Sequence, residues 1–189
     1  VGAGIQGAAL AREASARGLS TLLLDARDVA AGTSSRSSQL VHGGLRYLRH
    51  GHLALVREAL FERERLLRLA PHLVRPLPML MPFYQDSGVA RWKMRLGTWL
   101  YSKLAGGSTL PRPRSLSAQA AVDAFPGLRT NGLRSAIEFY DARTQDGRLT
   151  LANVLAAVAA GCRFANHAAV QSADESGLRV VDGVSGGEV

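Results

Sequence analysis

Three glycines near the start of the chain have the spacing of a dinucleotide-binding turn. Gly2, Gly4 and Gly7 form GxGxxG, and an apolar helical pattern follows them as far as Gly18. A short apolar strand pattern then ends in Asp25. Such glycines allow a tight turn and let the backbone approach a pyrophosphate closely. The free N–H groups at the helix N-terminus attract the pyrophosphate. The acid at the end of the strand binds a ribose hydroxyl. The sequence therefore predicts a dinucleotide site, and Asp25 disfavours the 2′-phosphate of NADP.

The segment GTSSRSSQLVHGGLRYLRHG at residues 32–51 is unusual for a soluble chain. Its hydroxyl side chains are too dense for a helix, because Ser and Thr compete for backbone hydrogen bonds, and its glycine pair interrupts a strand. Leu40, Val41 and Leu45 favour burial, so the composition is typical of a loop that wraps a polar ligand. The glycine motif leaves FAD and NAD open, but this long loop after Asp25 favours FAD, which has more atoms to hold.

The composition limits the class of protein that positions these residues. A chain of 189 residues with 47% apolar content is long enough for a core. The single cysteine, Cys162, excludes a disulfide framework and a multi-cysteine metal site, and it fits a reducing compartment. There is no apolar run of about 18 residues and no signal peptide, and the start without Met leads us to expect a piece of a longer protein. The excess of 23 Lys and Arg over 15 Asp and Glu indicates an anionic partner: a phosphate ligand, a phospholipid surface or nucleic acid.

Periodicity and turn residues predict the elements that follow the loop. Apolar residues recur through 52–69 with Arg and Glu between them, which predicts a helix with one apolar stripe and ion pairs on its solvent face. The prolines of 71–82 predict an extended segment. A basic helix with tryptophans is expected over 89–104, and such a helix either packs on a neighbour or lies on a lipid surface. Residues 106–118 are expected to form a mobile loop whose two arginines are solvated charges.

The C-terminal part has the pattern of a strand, a helix and two further strands. We expect a strand over 135–141 and a helix over 146–160, capped by Asp146 at its start and Gly161 at its end. Strands are then expected at 162–165 and at 167–170.

The chain closely resembles the N-terminal portion of FAD-dependent glycerol-3-phosphate dehydrogenases. The stretches GTSSRSS, VHGGLRYL, LVREAL-ERE and APHLVRPL match that family's pattern almost residue for residue, and FYDARTQDGRLTLANVLAAVAAG resembles a later segment of it. The resemblance implies an α/β fold: a Rossmann-like FAD-binding domain of the D-amino-acid-oxidase type at 1–75 and 142–189, with a truncated first strand, and part of a β-sheet substrate-binding or cap domain at 76–141. It also implies oxidation of sn-glycerol 3-phosphate to dihydroxyacetone phosphate, with hydride transfer to the flavin and electrons passed to quinone.

The resemblance further implies which residues form the site. Arg46 and Tyr47 are the implied substrate contacts, and packing at a helix start is their alternative interpretation. His42 is a candidate catalytic base, although loop histidines more often pack or form hydrogen bonds; the base is otherwise unknown, and no metal site is expected. The hydroxyl loop is implied to hold the FAD diphosphate and ribityl chain, and the backbone after His42 to approach the isoalloxazine ring. The implied cofactor-binding residues are Gly2, Gly4, Ile5, Gly7, Asp25, Gly32, Thr33, Ser34, Ser35, Arg36, Ser37, Ser38, Leu40, His42, Gly43, Gly44 and Val170.

The implied partners are sn-glycerol 3-phosphate, the quinone pool, an anionic membrane contacted peripherally, and a second copy of the chain in a homodimer. The implied location is cytoplasmic, on the cytoplasmic face of the inner membrane. Two alternative enzymes stay open: a glycerophosphate oxidase that uses oxygen, and another FAD-dependent oxidoreductase of the same fold. A nucleic-acid-binding module would need clustered Lys and Arg with aromatic residues, whereas the arginines are scattered along this chain. We therefore expect no nucleic-acid partner.

Overall fold

A computed structural model describes residues 1–86, 88, 90–175 and 177–187. The chain forms two compact units, Val1–Gln39 with Gln145–Val189 (the first unit) and Leu40–Thr144 (the second unit). The sequence-based division at 75/76 and 141/142 was between a cofactor-binding and a substrate-binding domain. The compact units do not test that functional division, and it stays a prediction. The helices are α1 (Ile5–Ala16), α2 (Leu45–Arg49), α3 (Leu53–Leu69), α4 (Arg91–Leu104), α5 (Ala118–Ala124) and α6 (Asp146–Ala159), and the strands are β1 (Leu22–Leu24), β2 (Leu40–Val41), β3 (Val74–Tyr84), β4 (Arg114–Ser117), β5 (Leu133–Thr144), β6 (Arg163–Ala165), β7 (Ala168–Asp174) and β8 (Gly177–Asp182).

The first unit combines a parallel strand pair with two packed helices. β1 pairs with β6 in parallel, with Leu23 opposite Phe164, and β7 pairs with β8 as an antiparallel hairpin. Small side chains dominate the core between α1 and α6, which allows the two helices to approach closely. The buried core residues are Ala3, Ala8, Ala11, Leu23, Val154, Ala157 and Cys162.

The second unit is built on the long strand β5. β3 pairs antiparallel with one edge of β5 along nearly its whole length, while β2 and β4 pair with two stretches of the opposite edge of β5. β3 lies at the edge of this sheet. Its residues Pro76, Pro78 and Pro82 lie two and four residues apart, so their backbone nitrogens face the same edge of the strand. Proline is tolerated there only where the missing N–H would face away from the partner strand. α3 and α4 pack around Val56, Leu60 and Tyr101.

Most elements predicted from the sequence are present. α1 ends two residues before Gly18, which has the left-handed φ of +80°, and β1 ends next to Asp25. The extended segment became β3, and the strand expected over 135–141 became the longer β5. α4 matches the predicted basic helix from Arg91 onward, whereas Val89 lies outside the described residues. Gln145 rather than Asp146 caps α6, so Asp146 lies in the first turn of the helix.

Two predictions about polar residues were wrong or incomplete. Arg63 and Glu64 of α3 do not lie on a solvent face, because they are only 2% and 4% exposed. Arg114 was expected to be a solvated charge, and its side chain is indeed 64% exposed, but it also forms an ion pair with the buried Glu138. Residues 106–118 were expected to be a loop throughout, yet their last part forms β4 and Ser108 hydrogen-bonds Glu64 at 2.6 Å.

Within the part of the chain that the structure describes, no helix is both long and apolar enough to cross a membrane.

Candidate functional site

The glycine turn before α1 is fixed by steric constraints. Gly2 adopts a left-handed φ of +97°, and its N–H donates a hydrogen bond of 2.7 Å to the carbonyl of Leu24. A side chain on Gly7 would overlap the carbonyl oxygen of Gly2. The turn therefore keeps its shape only with glycine at position 7, and the first N–H groups of α1 lie at its end, where intrahelical partners are lacking.

Asp25 lies at the end of β1 and contacts the same turn. Its Oδ2 accepts a hydrogen bond of 2.6 Å from the N–H of Ala3, and its Oδ1 accepts one of 2.8 Å from the N–H of Arg27. A carboxylate oxygen has two acceptor sites, so each oxygen retains one for a hydroxyl of a ligand. The sequence predicted a ribose contact for Asp25 but gave no sign that this carboxylate also orders the turn.

The hydroxyl loop is attached to the N-terminus of α1. The N–H of Ile5 donates a hydrogen bond of 2.9 Å to Ser34 Oγ, and Ser35 Oγ donates one of 2.7 Å to the carbonyl of Ala30. Ser37 Oγ donates to the Asp146 carboxylate at the start of α6. The loop thus bridges the N-termini of two helices, although the side chains of Thr33, Arg36, Ser37 and Ser38 are exposed.

A cavity of about 190 Å³ lies where the loop and the two helix N-termini meet. Helix N-termini and hydroxyl groups supply hydrogen-bond donors to a phosphate. This donor set fits the diphosphate of a dinucleotide, while the Asp146 carboxylate would repel an anion placed against it. The lining residues are Ile5, Thr33, Ser34, Ser37, Asp146, Leu149 and Thr150.

Val170 lies in β7, two residues after Ala168, which contacts the residue that follows β1. The N–H of Ala168 donates a hydrogen bond of 2.8 Å to the carbonyl of Asp25, and Val170 pairs with Val180 in the hairpin. The structure therefore brings the predicted adenine-side strand and the predicted ribose ligand together in the first unit.

The remaining predicted site residues lie in the second unit, around a second glycine turn. Gly43 is buried, and a side chain on it would approach Leu60 to 2.5 Å. Gly44 has a φ of +67° and caps α2. Leu40 lies in β2, just before the turn.

The implied substrate residues are accessible on α2. Leu45 and Leu48 pack against the core of the second unit, whereas Arg46 and His42 are exposed and Tyr47 is 44% exposed. The leucines therefore make the packing contacts of this helix, and the Arg46 and Tyr47 side chains stay available to a ligand.

Sequence reasoning missed a buried polar network behind the second turn. The N–H of Gly43 donates a hydrogen bond of 2.7 Å to Tyr101 Oη, which donates to Asp141 Oδ1 at 2.9 Å. Arg63 Nη1 lies 2.6 Å from the same carboxylate oxygen, and Arg63 Nη2 lies 3.0 Å from Glu64 Oε1. This chain, called the Tyr101 network below, joins the glycine turn to α3, α4 and β5.

Burial and charge shift the pKa of two members of the Tyr101 network. Burial, reinforced by the Asp141 carboxylate, raises the pKa of Tyr101, so the phenol stays protonated. For Glu64, burial opposes ionisation, but hydrogen bonds from Ser108 and Thr109 together with Arg63 outweigh it and lower the pKa below the usual 4.5. Glu64 is therefore a carboxylate at neutral pH.

A larger cavity, of about 690 Å³, lies beside α4 in the second unit. Apolar side chains of Trp92, Leu96 and Trp99 line it together with the cationic side chains of Arg95 and Lys103. Such a lining suits an amphipathic ligand with a hydrogen-bond acceptor or an acid at one end.

Comparison with known proteins assigns the chain to a family. A family model described as DAO, FAD dependent oxidoreductase, matches residues 1–189. The chain belongs to this family. The match confirms the predicted fold class of the D-amino-acid-oxidase type and FAD as the cofactor of the family.

Comparison with individual proteins gives more specific similarities than the family model. The chain is 42% identical to glycerol-3-phosphate dehydrogenase of Synechocystis sp. over 176 residues, which are 93% of this chain and 32% of that protein. It is 41% identical to D-erythritol 1-phosphate dehydrogenase of Brucella abortus, over 92% of this chain and 34% of that protein. The crystal structure of glycerol-3-phosphate dehydrogenase from Bacillus halodurans, complexed with FAD, superimposes with a TM-score of 0.71 at 28% identity, over 100% of this chain and 31% of that one. The similarity to glycerol-3-phosphate dehydrogenases predicted from the sequence is confirmed, and this chain spans about a third of the length of these relatives.

Proposed function

We propose that the complete protein containing this chain oxidises sn-glycerol 3-phosphate to dihydroxyacetone phosphate and passes the electrons to quinone. The observation that carries the proposal is the 42% identity to a glycerol-3-phosphate dehydrogenase over 93% of this chain. Bound FAD supplies the hydride acceptor in such a reaction.

The first unit is proposed to hold the cofactor. The N-terminus of α1 and the Ser34 loop bind the diphosphate, because Ile5 and Ser34 line one cavity. Ser34 Oγ accepts from the Ile5 N–H and keeps its own proton to donate to a phosphate. Asp25 binds a ribose hydroxyl with the acceptor sites that Ala3 and Arg27 leave free. Val170 borders the adenine side.

The second unit is proposed to hold the substrate and the flavin ring. The Arg46 guanidinium is planar and permanently charged, and it can bind a phosphate with two parallel hydrogen bonds. Tyr47 adds a hydroxyl donor from the same short helix. The backbone of Gly43 and Gly44 borders the ring, and His42 is the candidate for the base that accepts the hydroxyl proton.

Electron transfer to quinone and contact with a membrane belong to the same proposal. Trp92, Leu96 and Trp99 are exposed apolar side chains on α4, and the ammonium groups of Lys93 and Lys103 lie 5.7 and 5.8 Å from the centres of the two indole rings. Tryptophans beside lysines are typical of a surface that binds anionic lipid. We propose a location on the cytoplasmic face of the inner membrane, with the cavity beside α4 as a candidate for the quinone; a homodimer remains part of this proposal.

A longer polyol phosphate is the second candidate substrate. The relative from Brucella abortus, named for D-erythritol 1-phosphate, is 41% identical over 92% of this chain. Both substrates carry a phosphate and a secondary alcohol, so Arg46 would serve either one.

Anaerobic titration of the complete, purified protein tests the proposal. We expect sn-glycerol 3-phosphate to bleach the visible absorbance of the flavin and quinone to restore it. Bleaching by D-erythritol 1-phosphate alone would transfer the assignment to the second candidate, and rapid recovery with oxygen rather than quinone would indicate an oxidase. A flavin that neither substrate bleaches would exclude the proposed reaction.

Replacing Arg46 tests the substrate contact. Loss of a charge-assisted, bidentate phosphate contact costs about 1.5–3 kcal/mol, so Arg46→Ala should raise the KM for sn-glycerol 3-phosphate by roughly 10- to 100-fold. Arg57→Ala, which removes an exposed arginine from α3, is the matched control and should leave KM unchanged. Equal effects of the two variants would indicate general electrostatic attraction instead of a specific contact.

A further inference from the structure

The backbone at Gly43 is held by one side chain from another helix. Gly43 is buried, and its N–H donates to Tyr101 Oη at 2.7 Å. A buried N–H without a partner costs about 1–3 kcal/mol, so this bond constrains where the turn can lie. Gly43 also packs directly on Leu60, which prevents the turn from moving toward α3.

The orientation of the Tyr101 hydroxyl is fixed by its acceptor. Asp141 offers both carboxylate oxygens to the phenol, at 2.9 and 3.1 Å, and Arg63 neutralises that carboxylate at 2.6 Å. The phenol proton therefore points to Asp141, and the lone pair of Oη remains for the Gly43 N–H. The ring is held edge-on against Phe139, with the ring centres 6.4 Å apart.

The position of Gly43 determines where α2 begins. Gly44 follows in a left-handed conformation and caps the helix, and Arg46 and Tyr47 lie in the first turn after it. A shift of the Gly43 amide would therefore change the direction of α2 and of both exposed side chains.

We propose that Tyr101 is a positioning residue: by holding the Gly43 amide, its hydroxyl sets the direction of Arg46 and Tyr47 toward the substrate phosphate. This inference rests on the proposed function and deepens it, because Tyr101 itself touches no reactant. A purely structural role would lower the stability of the second unit without changing substrate binding or the rate of flavin reduction.

Tyr101→Phe in the complete holoprotein separates the two roles, because Phe keeps the ring packing and removes only the hydroxyl. Ser102→Ala is the matched control: it removes a hydroxyl from the next residue of α4, which bonds only the local carbonyl of Trp99. We would measure hydrogen–deuterium exchange of the peptide covering 42–48, and the limiting rate and half-saturation of anaerobic flavin reduction by sn-glycerol 3-phosphate.

For Tyr101→Phe we expect faster exchange confined to 42–48 and, at unchanged FAD content, a limiting rate about 10- to 100-fold lower, as for a misplacement near 1 Å. Ser102→Ala should match the wild type in both measurements. Faster exchange without a kinetic change, or exchange like that of the wild type, would overturn the inference. If Tyr101→Phe does not retain FAD, exchange of residues 42–48 is compared between the FAD-free forms of the variant and the wild type, and exchange like that of the wild type overturns the inference.

The proposed function can fail separately. If the wild-type flavin is not bleached by sn-glycerol 3-phosphate, the assigned reaction is wrong, while the exchange comparison still decides whether Tyr101 orders residues 42–48. Unchanged exchange then overturns the positioning role on its own.

Discussion

The two units each contain a glycine turn, and the turns are held in different ways. In the first unit, the partners of Ala3 and Ile5 lie 22 and 29 residues away along the chain, and both bonds join a backbone N–H to an oxygen near the surface. In the second unit, the partner of Gly43 lies 58 residues away and belongs to a buried network that includes an arginine and two carboxylates. Both turns need glycine for steric reasons, but the second also depends on a buried charge balance, which predicts different sensitivities to mutation and pH.

The largest effect is expected from a side chain in the first turn. Gly7→Val places a side chain on the carbonyl of Gly2, and because this neighbour is backbone it cannot rotate away as a side chain would. We therefore expect the turn to be lost and the complete protein to contain no FAD. The ratio of flavin to protein absorbance after purification measures this loss.

Gly97→Ala is the control for Gly7→Val, because a Cβ on Gly97 in α4 meets open space. This variant should retain FAD fully. Normal FAD content in Gly7→Val would contradict the importance assigned to shape in the first turn.

Breaking the charge balance of the second turn should have the next largest effect. Arg63→Ala leaves Asp141 and Glu64 buried without their cation, and removal of one partner from a buried ion pair costs about 3–5 kcal/mol. Urea denaturation of the complete protein would measure the change in the free energy of unfolding.

Arg65→Ala is the matched control on the same helix. Arg65 is exposed and lies 3.7 Å from Glu62, and surface pairs contribute about 0–1 kcal/mol. If both arginine variants lower the free energy of unfolding equally, the second turn does not depend on the buried charges of the Tyr101 network.

Lowering the pH is expected to decrease the free energy of unfolding by a smaller amount. The pKa of the Glu64 carboxyl is lower in the folded than in the unfolded state, where it has the ordinary value of 4.5. Such a carboxyl stabilises the fold at pH values above 4.5, and this contribution is lost as the pH falls through the pKa of the folded state. Glu64→Gln removes this titration, so the acid-induced decrease in the free energy of unfolding should be shallower than in the wild type. Parallel curves for the two proteins between neutral pH and pH values below 4.5 would show that Glu64 does not contribute to it.

The local pattern of the first unit was readable from the sequence. The glycine spacing, the helix after it and the acid at the end of β1 are encoded within 25 residues, and the structure contains each of them. What the sequence could not show is that Asp25 also bonds Ala3 and that Ser34 is attached to Ile5, because these contacts depend on how the loop folds back onto the helix.

The Tyr101 network was harder to predict because its members are far apart in the chain. Arg63 and Asp141 are separated by 78 residues, and charged residues in a helix are usually solvent-exposed. One signal was nevertheless available: with Val56 and Leu60 on the buried stripe, helical periodicity places Arg63 and Glu64 on the same face. Residues 106–118 were misjudged for a similar reason, since Gly, Ser and Pro are typical of loops, whereas pairing with β5 decided the conformation of β4.

The prolines of β3 also reduce the tendency of this strand to pair with another copy of the chain. Among the described residues no strand pairs with the outer edge of β3, and an unpaired edge strand of 11 residues would ordinarily offer a row of N–H groups to another extended segment and so promote aggregation. Pro76, Pro78 and Pro82 remove three of those donors, whereas Leu80, on the same side, keeps its N–H. A newly synthesised chain that exposes this edge before folding is complete therefore offers fewer donors to a neighbour, which disfavours an intermolecular sheet.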